Sequence, residues 1–213
     1  MEYTRQYFVL PDCYIALNAK VASSALACSI VKKFYPDRMQ KAMDDWNNTW
    51  SMYSQKFKDS LPESFQREFN TDFENSKTFW QNVCLKDYHP NKKVLLAVRD
   101  PLIRFASTCA YMQVDVEKTL VALETKGRSV LEKHECLVHR NTHFLPQHIY
   151  MDENCKAYKF PEQLEQMCYN AGLDYPLAKI NEGKFEKPVL TSEQIYRVKK
   201  VYANDFDLFN SLI

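Results

Sequence analysis

Apolar and polar positions follow two different periods near the start of the chain. Residues 14–17 form a short apolar run that is typical of a buried strand. Small and polar residues from 18 to 24 predict a tight turn. Apolar residues then recur every four positions from Leu26 to Phe34, which is the spacing of one helix face, and a proline ends the pattern. The sequence therefore predicts a strand, a turn and a helix in succession.

A second unit of this kind begins at residue 93. The run KVLLAV over 93–98 predicts a buried strand, and Pro101 suits the first position of the helix that follows. Similar patterns then predict helices over 115–126 and 128–139, a loop over 140–155 and a strand over 157–160. A helix follows over 161–172, and Gly172 closes it. Thr191 or Ser192 caps a last helix, one face of which carries Ile195, Val198, Tyr202 and Phe206.

Strands that alternate with helices predict an α/β fold with a central parallel sheet, built as a single domain over 1–213. In such sheets ligands bind beyond the carboxyl ends of the strands, where the turns 18–24 and 99–101 lie. Residues 37–90 form a largely helical insertion in this scheme, because aromatic residues recur there at a spacing of three or four. Those rings either pack in the core or line a cleft for an acceptor.

Composition narrows the class of ligand site. The chain of 213 residues has three glycines, whereas average usage would give about 15. Neither GxGxxG nor GxxxxGK[ST] occurs, so a Rossmann or Walker phosphate loop is excluded. The net charge of +1 leaves no overall electrostatic footprint for nucleic acid or membrane.

The cysteines and the hydropathy pattern indicate a compartment. Seven cysteines, an odd number with no CxxC pair, favour reduced thiols over a disulfide framework or a zinc site. The sequence contains no run of about 18 apolar residues, so no transmembrane helix is expected. The first residues do not have the pattern of a signal peptide. We therefore expect a cytoplasmic protein.

The turn after the first predicted strand is the first candidate site. Backbone N–H groups at a helix start favour an anion, and two hydroxyls and one ammonium add to this. The alternative is that a serine here only caps the helix. If Ala22 keeps a negative φ, the turn forms an anion-binding nest without glycine. The residues concerned are Lys20, Val21, Ala22, Ser23, Ser24 and Ala25.

The turn after the second strand is the other candidate. Arg99 stands at the strand end, and Ser107 lies about two turns into the next helix, so a guanidinium and a hydroxyl can clamp a phosphate. The alternative is that Asp100 pairs with Arg104 and that Arg99 merely ends the strand.

Taken together, the two turns resemble the nucleotide sites of PAPS-dependent sulfotransferases, where PAPS is 3′-phosphoadenosine 5′-phosphosulfate. That family carries K-x-[GA]-[ST]-[ST] after its first strand and V-R-D-P-x-x-R-x-x-S later, and both occur here as residues 20–24 and 98–107. The segment NTHFLPQ is similar to the H-W-x-P-Q segment of Golgi carbohydrate sulfotransferases, with Phe144 in place of Trp. AYKFPEQL, KPVLTSEQI and VYANDFDLF resemble the ends of bacterial and viral members.

The resemblance implies a P-loop-like three-layer α/β sandwich and a role for each motif residue. Ser23 and Ser24, with the backbone of 21–25, would hold the 5′-phosphate of the nucleotide. Arg99 and Ser107 would hold its 3′-phosphate, and Lys20 would stabilise charge on the leaving phosphate oxygen. Such a transfer of a sulfuryl group from PAPS, which leaves PAP, requires no divalent metal.

The acceptor hydroxyl needs a general base, and five histidines are candidates. His143 is the preferred one because the H-x-x-P-Q similarity places it in a loop, with His148, His89 or a carboxylate as alternatives. Lys184 and Lys187 lie shortly after Gly183. One interpretation is that they reach the nucleotide, and the other is that they lie on the solvated surface.

The function that the resemblance implies is sulfuryl transfer from PAPS to a hydroxyl acceptor, and the acceptor class it implies is a carbohydrate. No nucleic-acid or membrane partner is expected, and the oligomeric state is left open. Two other functions compete with it, namely a small-molecule kinase of related fold and a non-catalytic module that binds nucleotide or a partner. The missing GK[ST] pattern speaks against the kinase.

Overall fold

A computed structural model describes residues 7–18, 20–34, 84–85, 92–125, 142–177 and 185–212. The helices predicted within 37–82 and over 128–139 lie outside these residues. The described elements, in chain order, are β1 (Tyr7–Val9), β2 (Cys13–Ala16), α1 (Ser23–Phe34), β3 (Cys84–Leu85), β4 (Lys93–Arg99), α2 (Pro101–Met112), α3 (Val116–Thr125), 3₁₀ turns at Thr142–Phe144 and His148–Tyr150, β5 (Cys155–Phe160), α4 (Leu164–Asn170), α5 (Ser192–Val201) and α6 (Ala203–Ser211).

The chain divides into two compact units, each built from three segments. The first takes in Met1–Leu17, Ala22–Val94 and Glu165–Glu182, and the second takes in Asn18–Val21, Leu95–Leu164 and Gly183–Ile213. The single domain expected over 1–213 stays a prediction.

The first unit contains an antiparallel group of strands. β1 pairs with β2, where Tyr7 lies opposite Ala16, and with β3, where Tyr7 lies opposite Leu85. The predicted strand over 14–17 is β2, displaced by one residue. β1 and β3, which are only three and two residues long, were not predicted. The short strand β3 also lies inside the insertion expected to be largely helical.

The strands are therefore of mixed orientation. Parallel strands also occur, and helices flank them, which agrees with a general α/β fold. The predicted central parallel sheet is therefore confirmed only in part, because β1 runs antiparallel to both of its neighbours. Alternation of strands and helices detects crossover units, but it does not detect a short hairpin strand added before the first of them.

The second unit contains Lys20, Arg99, Ser107 and His143 of the candidate site, and it has its own apolar cluster. The five residues from Val94 to Val98 in β4 are buried, as their unbroken apolar run predicts. α2 begins at Pro101, as predicted, and Gln113 ends it in the left-handed conformation. The cluster consists of Phe105, Cys109, Leu120, Leu123, Phe144, Val198 and Tyr202.

The C-terminal helix of the prediction is two helices. Thr191 caps α5 through a capping box with Gln194, as the prediction of a cap at Thr191 or Ser192 allows. The backbone of Tyr202 departs from helical φ and ψ values and separates the two helices. The buried hydroxyl of Tyr202 donates to the Phe144 carbonyl at 2.9 Å. The apolar spacing continues through this break because Val198, Tyr202 and Phe206 all pack in or against one cluster.

Two further predicted elements differ in their bounds. α4 begins at Leu164 rather than Pro161, because residues 161–163 form a turn in which the Leu164 N–H donates to the Pro161 carbonyl. Gly172, at φ 66°, ends this element as predicted. Of the residues predicted as a loop over 140–155, six form the two 3₁₀ turns. Among the described residues, no helix is both long and apolar enough to cross a membrane.

Candidate functional site

The turn before α1 is left-handed at two non-glycine residues. Lys20 has φ 65° and Ala22 has φ 60°, so the condition of a negative φ at Ala22, on which the sequence argument for the nest depended, is not met. A left-handed L-residue costs about 1–2 kcal/mol because its Cβ approaches the following carbonyl. Such strain concentrates at functional sites, and turns that contain left-handed residues can gather backbone N–H groups into an anion-binding concavity.

The side chains of this turn differ in exposure. Val21 and Ala25 are buried, so only their backbone groups are available to a ligand. Ala22 and Ser23 are partly exposed, and α1 begins at Ser23. The side chain of Ser24 lies outside the described part of the chain. The structure therefore places one of the two predicted hydroxyl residues, Ser23, at the helix start.

Arg99 connects the two predicted turns. Its Nη1 donates to the backbone carbonyl of Lys20 over 2.9 Å, and both residues belong to the second unit. Asp100 is the N-cap of α2, because its carboxylate accepts from the Ile103 N–H at 2.9 Å. The buried Arg104 guanidinium donates to the carbonyls of His143 and Leu145 at 3.2 and 2.7 Å. Arg99 thus does more than end a strand.

The side chain of Gln147 holds the end of β4. Its Oε1 accepts from the Arg99 N–H at 2.9 Å, and its Nε2 donates to the Arg99 carbonyl at 2.8 Å. The same Oε1 accepts from Asn18 Nδ2 at 3.0 Å, and that Nδ2 also donates to the Ala97 carbonyl at 2.9 Å. Gln147 and Asn18 are both buried. Two amides therefore join the segment before Lys20, the end of β4 and the loop that carries His143.

Tyr111 joins Lys20 to His143. Lys20 Nζ lies 4.0 Å from the centre of the Tyr111 ring, a distance at which a cation is attracted to the ring face. The His143 imidazole stacks on the same ring, with 5.1 Å between centroids and 16° between planes. The two residues predicted to be catalytic thus contact one aromatic side chain in the last turn of α2.

The charges around Lys20 favour an anion. Burial, together with Arg99 and Lys187 nearby, lowers the pKa of Lys20 from 10.5 to about 8. Each of these causes opposes the charged ammonium. Burial also lowers the pKa of Arg99, although Asp100 partly opposes that shift. A bound anion would lie beside cations that repel one another, and it would relieve that repulsion.

Two other predicted residues are placed less directly. Ser107 is partly exposed on α2, three residues after Arg104 and four before Tyr111, and hence on the same helix face. Within the described residues, no hydrogen bond joins the Ser107 hydroxyl to Arg99. Lys187 is exposed and close enough to affect Lys20. Lys184 lies outside the described residues.

The alternative base His148 has a carboxylate partner. Its Nδ1 lies 2.6 Å from Oδ1 of Asp205, whose side chain is fully buried. The Asp205 carboxylate also accepts from the backbone N–H groups of Gln147 and His148, at 2.8 and 2.9 Å. A carboxylate on Nδ1 can orient a histidine that acts through Nε2. His89, the other histidine considered, lies outside the described residues.

Sequence reasoning missed Tyr111, Asn18 and Asp205, and it read Gln147 only as part of a motif. Tyr111 left a usable signal, because it follows Ser107 by four positions on the predicted helix. Asn18 and Asp205 left none, since the partners of Asn18 are 79 or more positions away in the chain and those of Asp205 are 57 or more.

The fold and the site together define an α/β protein with partly buried cationic side chains, Lys20 and Arg99, at a strained turn. Comparisons with protein-family models, with curated proteins and with solved structures find no match to this chain.

Proposed function

We propose that this protein is a PAPS-dependent sulfotransferase that moves a sulfuryl group to a hydroxyl acceptor. The observation that carries the proposal is the hydrogen bond from Arg99 to the carbonyl of Lys20. It joins the two motifs that, as a pair, resemble the nucleotide sites of this family. Burial and neighbouring cations also lower the pKa of Lys20, and this is the environment expected of a lysine that binds an anion.

The proposed nucleotide contacts follow the two turns. The backbone of 21–25 with Ser23 and Ser24 binds the 5′-phosphate, where the start of α1 favours negative charge. Arg99 and Ser107 bind the 3′-phosphate, for which a guanidinium is suited by its fixed fork of donors. The proposed fold, a P-loop-like sandwich, places a phosphate turn between a strand and a helix, as β2 and α1 do here.

The proposed chemistry is an in-line displacement at sulfur. The acceptor oxygen forms the new S–O bond while the bond to the 5′-phosphate oxygen of PAPS breaks, and PAP departs with that electron pair. Lys20 stabilises the negative charge that grows on the leaving oxygen. Positioning and charge neutralisation supply most of the rate in such transfers, so the proposal includes no divalent metal.

His143 is the proposed general base. It takes the proton of the acceptor hydroxyl as the new bond forms, a role that suits an imidazole near neutral pH. Its link to Lys20 through Tyr111 favours it over His148. The carboxylate on His148 Nδ1 keeps that residue as the second candidate.

The acceptor class proposed is a carbohydrate, on the resemblance to carbohydrate sulfotransferases. Nucleic acid and membrane are not proposed as partners, and the proposed compartment is the cytoplasm. These assignments rest on the sequence. The motifs support the acceptor class, the balanced charge supports the absence of nucleic-acid and membrane partners, and the odd number of cysteines supports the compartment.

Isothermal titration with PAP tests nucleotide binding. We expect the wild-type protein to bind PAP, and Lys20→Ala and Arg99→Ala to weaken binding at least about tenfold each, as the loss of a charged hydrogen bond implies. Lys118→Ala removes an exposed lysine of α3 and should bind as the wild type does. Absence of PAP binding, or equal binding by all variants, would overturn the proposal.

A transfer assay tests the reaction itself. Labelled PAPS is incubated with a panel of glycans with and without EDTA, and we expect label in at least one glycan under both conditions. PAP binding without transfer to any glycan would favour the non-catalytic module. Phosphate transfer that requires ATP and Mg²⁺ would instead support the kinase.

A further inference from the structure

The ring of Tyr111 contacts both side chains to which the proposed reaction assigns catalysis. One contact is a cation over the ring at 4.0 Å, and the other is a stacked imidazole at 5.1 Å. Neither contact needs the tyrosine hydroxyl. The aromatic face is therefore the part of Tyr111 that these interactions use.

Lys20 needs something to hold its ammonium in place. Its side chain has four flexible methylene groups, and Arg99 and Lys187 both repel its charge. Without an attractive partner, nothing would offset the effect of these cations and of burial on the charged ammonium. Attraction of a cation to an aromatic face increases as water is excluded, so the Tyr111 ring can oppose that repulsion.

His143 is held from two sides by α2. Its backbone carbonyl accepts from the Arg104 guanidinium at 3.2 Å, and its imidazole stacks on Tyr111. Arg104 and Tyr111 are seven residues apart, which is two helical turns, so they lie on one face of α2. The helix thus fixes both the backbone and the ring of His143.

We propose that Tyr111 is a positioning residue of the transfer reaction, holding the Lys20 ammonium and the His143 imidazole on one aromatic face. The proposal rests on the proposed sulfotransferase function for its catalytic meaning. Its structural content, that the ring holds both groups, is independent of any nucleotide. Tyr111→Phe should keep both contacts, and Tyr111→Leu should lose both while it still fills space.

The first experiment measures how Lys20 titrates, without any ligand. Competitive acetylation across pH 6 to 11, with mass spectrometry of the peptide that contains Lys20, reports the pKa of its amine. We expect about 8 in the wild type and in Tyr111→Phe. In Tyr111→Leu the charged ammonium loses its attraction to the ring while burial, Arg99 and Lys187 still oppose it, so its pKa should fall below the wild-type value. An unchanged pKa in Tyr111→Leu would overturn the proposal.

A second reading follows the His143 ring. Stacking places its ring protons in the ring current of Tyr111, so their NMR signals should move downfield in Tyr111→Leu and stay in place in Tyr111→Phe. Tyr169→Leu replaces an exposed tyrosine of α4, with 78% relative exposure, and should leave both the Lys20 titration and the His143 signals unchanged. If Tyr111→Leu does not fold, as circular dichroism shows, Tyr111→Met takes its place.

Transfer kinetics complete the test once an acceptor is in hand. Tyr111→Leu should lower kcat at least about tenfold at saturating PAPS, whereas Tyr111→Phe should keep kcat near the wild-type value. A wild-type protein that fails to bind PAP would overturn the sulfotransferase proposal while the titration still reports on Tyr111. Wild-type kinetics in Tyr111→Leu would instead overturn the positioning role and leave the proposed function standing.

Discussion

The side-chain amide of Gln147 pairs with both backbone polar groups of Arg99, accepting from its N–H at 2.9 Å and donating to its carbonyl at 2.8 Å. An adjacent strand would make the same pair of hydrogen bonds. Gln147 thus satisfies the hydrogen-bonding groups of the Arg99 backbone at the end of β4. The Arg99 side chain makes a separate hydrogen bond to the Lys20 carbonyl.

Gln147→Ala should therefore destabilise the protein. The change leaves the Arg99 N–H and carbonyl without this partner and removes an acceptor from Asn18, so we expect a loss of about 2–4 kcal/mol in the free energy of unfolding. Urea denaturation measures it. Gln166→Ala, on the exposed side of α4, should change the same quantity by no more than about 0.5 kcal/mol. Equal stability of the two variants would contradict the role given to Gln147.

Asp205→Asn should loosen the turn that carries Gln147 and His148. The buried carboxylate accepts three hydrogen bonds there, two from backbone N–H groups and one at the His148 ring. An amide offers one acceptor oxygen and turns its NH₂ toward a donor, so unfolding should become easier by about 2 kcal/mol. Thermal or urea unfolding provides the measurement.

Asp207→Asn is the matched control for Asp205, because the same change is made on the same helix at an exposed position. We expect little effect from it. If both variants lose equal stability, the effect would belong to α6 in general and not to the buried carboxylate.

Ala22→Gly should stabilise the protein. Glycine adopts φ 60° without the clash that costs alanine about 1–2 kcal/mol, and this exceeds its added chain entropy of about 0.5–1 kcal/mol. The expected gain is about 0.5 kcal/mol, read from urea denaturation. Ala25→Gly, inside α1, should instead lose about 1 kcal/mol. A loss in both variants would show that Ala22 is not left-handed in solution.

PAP affinity should fall as the pH rises through about 8. Lys20 has a pKa of about 8 in the free protein, and a bound anion raises it, so binding takes up a proton above that pH. The dissociation constant should then increase by up to about tenfold per pH unit between 8 and 9.5, a range in which the phosphates of PAP no longer titrate. Isothermal titration at several pH values measures this.

Lys20→Arg is the control for this profile, because a guanidinium stays charged over the whole range. Its PAP affinity should vary less with pH than that of the wild type. A wild-type affinity that is constant from pH 7 to 9.5 would show that the Lys20 ammonium does not take part in binding.

The same pKa shift bears on stability. Because the folded pKa of Lys20 lies below its ordinary value, the folded state binds fewer protons than the unfolded state between about pH 8 and 10.5. The contribution of Lys20 to stability therefore becomes more favourable as the pH rises through that range. At neutral pH the charged ammonium is a cost to folding, as is often found for groups placed to bind a ligand.

Local sequence was sufficient for the elements near the site. The apolar run of β4, Pro101 at the start of α2 and Gly172 after α4 each depend on a few neighbouring residues, and the structure confirms them. The same reasoning predicted one C-terminal helix, because apolar spacing does not report the backbone break at Tyr202. It also missed the hairpin strand β1, whose pairing depends on partners across the sheet.

The sequence by itself determined that two cationic turns follow two strands and that glycine-rich phosphate loops are absent. Only the tertiary structure decided that Arg99 reaches Lys20, that Gln147 completes β4 and that Tyr111 joins Lys20 to His143. The reason is physical. Strand and helix patterns follow from local periodicity, whereas these contacts join residues between 32 and 91 positions apart, and their geometry depends on how the chain packs.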